Sequence, residues 1–209
     1  MTSRFTDGAA MWNQRFSVDD YVFGREPNAF LRDQAHHIAP GGRVLCVADG
    51  EGRNSVWLAQ LGLQVEAFDI SAVGVAKARK LAEEAGVKVD YTVSDCDTWP
   101  WAVASHDAVV AIFIQFADPA MRARLFEHMV QALKPGGVLV LQGYTPAQLQ
   151  HKTGGPGELS HLYTADLLRE AFAALEIVEL VDYEAELNEG ARHVGRSALI
   201  GLVARKPAS

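Results

Sequence analysis

From residue 43 onward, short apolar runs alternate with helical patterns, and this alternation constrains the fold more than any other feature of the chain. Residues 43–48 form an apolar run after the turn signal Pro40-Gly41-Gly42. Residues 53–61 then read as a helix with Val56, Leu58, Ala59 and Leu61 available for burial. A second strand is expected at 64–70, followed by an Ala-, Lys- and Glu-rich helix at 73–85 that Gly86 stops. Strands at 87–93, 106–114 and 138–142 continue the pattern, with a helix at 120–133 that ends before Lys134-Pro135-Gly136-Gly137. Val109-Val110-Ala111-Ile112 is apolar at every position, as expected of a strand covered on both faces. Thr164 is placed to cap a helix over 165–174. The last two runs, 176–186 and 197–205, read as an antiparallel hairpin with a long loop. The pattern specifies a doubly wound α/β sheet of seven strands, mostly parallel, with helices on both faces. Ligands of such sheets bind beyond the carboxyl ends of the strands.

The chain has 209 residues, which suits a single domain. It divides into an arm at 1–39, a ligand-binding core at 40–143, a loop at 144–163 and a final helix and hairpin at 164–209. With 19 basic and 26 acidic residues its net charge is −7, which supplies no basic face for nucleic acid. Cys46 and Cys96 lie far apart and in no metal-ligand spacing, as expected of reduced thiols. No apolar run reaches the length of a membrane span, and Met1 to Asp7 holds no apolar signal core. A cytoplasmic protein with no membrane partner is expected, as monomer or homodimer.

The first strand runs into Gly50-x-Gly52 and at once into a helix. Glycine permits the tight turn and a close approach to a ligand, and the helix start offers free N–H groups and a positive dipole end. A dinucleotide fingerprint G-x-G-x-x-G does not fit: one register puts Ser55 at the third glycine, the other begins on Ala48 and ends on Arg53. The second strand ends in Asp69, 17 residues after Gly52, about where a carboxylate reaches ribose hydroxyls. Its simpler reading is a cap for the following helix, a task Ser71 performs alone. Ile70 is placed to lie on one face of an adenine.

The run Val44 to Ala59 resembles the first motif of class I S-adenosylmethionine-dependent methyltransferases, and Gly50-Glu51-Gly52-Arg53-Asn54 resembles their tellurite-resistance and thiol-methyltransferase branch. This chain has Ala48 where the family has glycine and Cys46 where it has an acid. Without that acid, the cofactor's amino group relies on backbone carbonyls or another carboxylate. The resemblance covers roughly 40–143 and implies a Rossmann-like fold with S-adenosylmethionine as cofactor and S-adenosylhomocysteine as product. It places Ala48, Asp49, Gly50, Gly52, Asn54, Asp69, Ile70 and Ser71 around the cofactor. It also has Asp95 accepting the adenine amino group, the Cys96 N–H meeting a ring nitrogen and Ile112 facing the methionine part. Trp99 either covers the adenine or staples a loop. Nucleic-acid amino methyltransferases carry an Asp/Asn-Pro-Pro-aromatic turn after the fourth strand, where this chain has Ile112-Phe113-Ile114-Gln115.

Two segments outside the sheet are candidates for the substrate lid. Trp12-x-x-Arg15-Phe16 and Tyr21-x-x-Gly24-x-Glu26-Pro27-Asn28 resemble the start of small-molecule and tellurite-type members. Trp12 and Arg15 there face the cofactor, and Arg15 meets its carboxylate or an anionic substrate. The second segment is glycine-rich and includes His151, Lys152, His161 and Tyr163. Candidate substrate contacts are Tyr21, Phe113, Gln115, Tyr144, His151 and Tyr163. No metal site is expected, and His36, His37, His128 and His193 read as surface residues. A thiol or chalcogen oxyanion is already nucleophilic, so no catalytic base is assigned; an amine or hydroxyl needs one. The expected activity is methyl transfer to a small molecule. The competing readings are a catalytically silent cofactor-binding regulator and, behind it, a nicotinamide oxidoreductase.

Overall fold

The structure is a computed structural model that describes residues 4–208, with side chains from residue 8 onward. The segment read above for a signal core, residues 1–7, lies outside the described side chains. Seven strands form one sheet: β1 (Arg43–Val47), β2 (Gln64–Asp69), β3 (Val89–Val93), β4 (His106–Ile112), β5 (Leu133–Tyr144), β6 (Glu176–Glu189) and β7 (His193–Arg205). Their order is β3-β2-β1-β4-β5-β7-β6. The first five are parallel, and β7 runs antiparallel to both β5 and β6. The expected Rossmann-like sheet is therefore the observed one. Its direction of winding reverses between β1 and β4, which opens a crevice beyond their carboxyl ends.

Helices cover both faces: α1 (Arg4–Phe16), α2 (Ala29–Gln34), α3 (Arg53–Gln60), α4 (Ala72–Glu84), α5 (Pro119–Ala132), α6 (Gln148–His151) and α7 (Ala165–Ala171). The two faces are sorted by strand periodicity. Leu45, Val47, Val109 and Ala111 join Leu125, Phe126 and Met129 of α5 and Leu168 of α7 in one core. The intervening Val44, Cys46, Ala108 and Val110 meet α2, α3 and α4 on the other. Side-chain caps start most of these helices: Asn28 accepts from Leu31 N–H, Ser71 from Gly74 N–H, Asp118 from Met121 N–H and Thr164 from Leu167 N–H.

Two expectations change. Lys134-Pro135-Gly136-Gly137, expected between the helix and the strand at 138–142, lies within β5 as a register break between the pairs His106–Leu133 and Ala108–Val138. The hairpin loop is not long. β6 and β7 pair from Glu176–Arg205 to Glu189–His193, leaving Gly190, Ala191 and Arg192 as the turn. Residues 187–189 and 193–196, expected in the loop, extend the two strands, and β6 is the sheet's edge strand, with one side open to solvent. Among the described residues no helix is long and apolar enough to cross a membrane.

The β5–β7 pairing depends on a close approach at Gly201, where a Cβ would stand 2.3 Å from the Phe30 ring. Gly201→Ala is expected to cost roughly 1–3 kcal/mol through overpacking. Urea unfolding should show a lower midpoint with unchanged slope, and an unchanged midpoint would mean that α2 yields without cost.

Candidate functional site

The turn after β1 has an unusual backbone. Ala48, Gly50 and Gly52 all have positive φ, at 49°, 63° and 90°. This winding carries the chain from the strand into α3 and leaves the α3 N-terminus facing the crevice. Gly52 cannot be replaced by a larger residue, since a Cβ there would lie 2.7 Å from Ala78 and 2.8 Å from the Tyr91 hydroxyl. Ser55 stands where a dinucleotide fingerprint has its third glycine. Its hydroxyl donates to Asp49 and meets the Tyr91 hydroxyl at 2.7 Å.

Asp69 ends β2 and joins two turns. Its Oδ2 accepts from Gly50 N–H at 2.9 Å and its Oδ1 from Ser71 N–H at 2.8 Å. Helix α1 lies over both turns: Asn13 Oδ1 accepts from the Ser71 hydroxyl at 2.7 Å, and Phe16 packs on Gly50 and Gly74. Burial, the largest influence, pushes the Asp69 carboxyl up to about 6 against the opposing pull of its two N–H donors. Asp49 goes up to about 7, again chiefly by burial, with Ser55 opposing and Asp69 adding to the rise. Cys46 points into the α3–α4 core rather than the crevice, and burial raises its thiol well above the ordinary range. Asp49 is close enough to add to that rise.

The crevice is a cavity of about 970 Å³. Of the expected cofactor contacts, Trp12, Arg15, Ala48, Asp49, Gly50, Asn54, Asp69, Ile70, Asp95, Cys96 and Ile112 line it. Phe113, Gln115 and Tyr144 line it among the substrate candidates. The others lie elsewhere. Gly52 shapes the turn from behind, and Ser71 caps α4. Tyr21 lies under Arg25 and Lys77 and donates to Lys77 C=O. His151 faces Glu184, its Nε2 at 3.1 Å. Tyr163 is fully buried against Phe126 and beside Gly143. Trp99 stacks on Phe68 at 4.6 Å and is a loop staple. Gln115 is occupied by backbone: it donates to the Tyr144 and His161 carbonyls and accepts from Tyr144 N–H.

Sequence reasoning missed the wall formed by the β6–β7 turn. Phe23, Arg192 and His193 line the cavity with Phe113 and Tyr144. His193, expected on the surface, is 8% exposed and packs against Phe23 at 4.6 Å and Phe113 at 4.4 Å. Phe113 has φ 56°, a conformation rare for a bulky residue outside functional sites. The turn is fixed where Ala191 N–H donates to Val22 C=O and Gly190 touches the backbone of Gly24. The only available signal was the cluster Glu189-Gly190-Ala191-Arg192-His193, which interrupts an otherwise alternating strand pattern.

Residues 44–137 match the methyltransferase-domain family. Demethylmenaquinone methyltransferase of Renibacterium salmoninarum is 35% identical over 131 residues, covering 62% of this chain and 50% of the relative. The chain thus spans about half the length of the curated relatives it matches. The N-methyltransferase NodS of Bradyrhizobium japonicum WM9, solved with S-adenosylhomocysteine, superposes with a TM-score of 0.70 at 15% identity, over 96% of this chain and 98% of that one. A structure from work on converting a disulfide bond into a thioacetal group in echinomycin biosynthesis gives 0.77 at 17% identity, over 98% and 91%. The fold of this chain is the one these solved structures share.

A carboxyl whose folded pKa exceeds its unfolded value of about 3.9 binds its proton more tightly when folded. Its contribution to stability is therefore greatest at low pH and is lost as pH rises from about 4 through about 7 for Asp49. Asp49→Asn should flatten the decline in melting temperature between pH 5 and pH 8. An undiminished slope would show that Asp49 ionises normally in the fold.

Proposed function

We propose that this chain transfers the methyl group of S-adenosylmethionine to a small-molecule acceptor, a thiol or a chalcogen oxyanion such as tellurite, and releases S-adenosylhomocysteine. The cavity suits that cofactor. Asp69 has lone pairs left for ribose hydroxyls after accepting two backbone N–H groups. Ile70 supplies an apolar surface for the base, and Asp95 and Cys96 stand beyond it at the end of β3. Asp49 is the carboxylate available to the amino group in place of the acid that Cys46 lacks. When bound, the cofactor supplies a methyl group on a positive sulfur, transferred in line with the electron pair of the broken bond returning to sulfur. The chain's part is to hold both reactants and exclude water.

The observation that carries the choice of acceptor is the pair Arg15 and Arg192 on the cavity wall. Neither forms an ion pair among the described residues, and Arg15 is shifted down from its ordinary value by burial first and Arg192 next. Two unneutralised guanidinium groups favour an anionic acceptor. A second reading is favoured by the aromatic wall of Phe23, Phe113 and Tyr144 together with the name of a 38% identical relative, the ubiquinone biosynthesis O-methyltransferase of Xanthomonas campestris: a hydroxyl on an aromatic ring.

Isothermal titration with S-adenosylmethionine, S-adenosylhomocysteine and NADH tests the reading. Both adenosyl compounds should bind, and Asp69→Ala should weaken them at least ~10-fold, since one hydrogen bond to a charged group contributes about 1.5–3 kcal/mol. Binding of NADH alone would overturn the proposal.

A further inference from the structure

The methyl-transfer reading leaves one buried titratable group on the cavity wall without a task. His193 stands at the start of β7, and neither of its ring nitrogens makes a hydrogen bond among the described residues. Nδ1 is enclosed and faces Glu189 Oε2 at 3.6 Å. Nε2 is not enclosed in this way, and the residue lines the cavity, so Nε2 is the nitrogen open to it. On the same wall the Tyr144 hydroxyl is buried and also has no partner. The Tyr144 hydroxyl is enclosed beside Gly154, so the open Nε2 is the group on this wall left for a polar atom of a bound ligand.

The surroundings hold His193 firmly. Glu189 is anchored by Arg53 at 2.8 Å and by the Asn28 amide at 3.0 Å, and Arg53 also donates to Phe23 C=O. Burial alone would raise the Glu189 carboxyl, but His193 and Arg53 outweigh it and hold it down at about 2. The 190–192 turn is clamped to the backbone of Val22 and Gly24. Phe23 and Phe113 fix the ring plane. A carboxylate that faces one nitrogen and leaves the other open is the arrangement of an oriented imidazole base.

We propose that His193 is the general base for the acceptor, oriented by Glu189, and that the acceptor therefore arrives carrying a proton on sulfur or oxygen. The inference rests on the methyl-transfer reading and narrows it to thiols and hydroxyl compounds in place of chalcogen oxyanions, with any anionic group that meets Arg15 and Arg192 lying elsewhere on the acceptor than the reacting atom. Nε2 takes the acceptor's proton, the lone pair so freed forms the bond to the methyl carbon, and the imidazolium returns its proton to water after the product leaves. The charged groups facing the ring are Glu189 from β6, Arg53 from α3 and Arg15 from α1. Burial is the largest influence and lowers the imidazole below its ordinary value; the two arginines add to this, and Glu189 opposes it. His193 is thus neutral, and able to accept a proton, at neutral pH.

Two measurements on the full chain test this. The first is ¹⁵N NMR of the histidine rings, assigned with His193→Gln, in the presence of S-adenosylhomocysteine. The expected result is a neutral ring with its proton on Nδ1, toward Glu189. A ring protonated on Nε2 at pH 7.5 overturns the proposal whether or not an acceptor has been found. The second compares catechol, which carries its proton at neutral pH, with 4-nitrothiophenolate, which does not. His193→Gln should slow methylation of catechol ~100-fold or more and remove the acid limb of its pH profile. The same variant should keep its affinity for S-adenosylhomocysteine and its rate with 4-nitrothiophenolate within about threefold, the small change expected when no proton is removed. Equal slowing of both probes with that affinity retained would mean that His193 only positions the acceptor, and the proposal fails. Loss of S-adenosylhomocysteine binding by the unmodified chain would instead remove the methyl-transfer reading, and this inference with it.

Discussion

Asp69 holds the turn after the first strand to the turn after the second, and the crevice takes its shape from that tie. One oxygen fixes Gly50 and the other fixes Ser71, so two loops that only run side by side in the sheet become one rigid floor. The carboxylate tolerates burial because both N–H donors favour its charged form. Helix α1 locks onto the same floor through Asn13 and Phe16. The arm thus closes the crevice from above by the contacts that hold it to the domain.

The opposite wall depends on the hairpin at the sheet edge. β6 and β7 pair along their full length and deliver a three-residue turn onto the loop that follows α1. Arg53 in the helix after the glycine turn reaches both Phe23 C=O and Glu189. Asn28, from the Glu26-Pro27-Asn28 run, caps α2 and bonds Gln142 in β5 and Glu189 in β6. Helix α3, the N-terminal arm and the C-terminal hairpin therefore share one polar network around Glu189. Its members are buried and paired, so truncating one would leave a charge or an amide unsatisfied.

The parallel half of the fold was legible because each strand is covered on both faces and so reads as an unbroken apolar run, as at Val109–Ile112. The glycine turn and Asp69 were legible because turn geometry and sheet register leave few places for them. The hairpin was partly legible. β6 is an edge strand, and its last residues, 187–189, read as part of the loop. Tyr163 and His151 were misplaced for a different reason: spacing puts residues on a loop but does not say which way they face. Tyr163 turns inward onto Phe126, and His151 turns away to Glu184. His193 was missed because its burial comes from Phe23 and Phe113, which lie 170 and 80 residues away in the chain.

The most direct test is a crystal structure of the chain grown with S-adenosylhomocysteine. The expected result places both ribose hydroxyls within hydrogen-bond distance of Asp69, about 2.7 Å, with the base over Ile70 and the sulfur toward Phe113 and His193. A ligand bound outside the crevice, or a ribose that leaves Asp69 bonded only to Gly50 and Ser71, would contradict the reading on which the site is built.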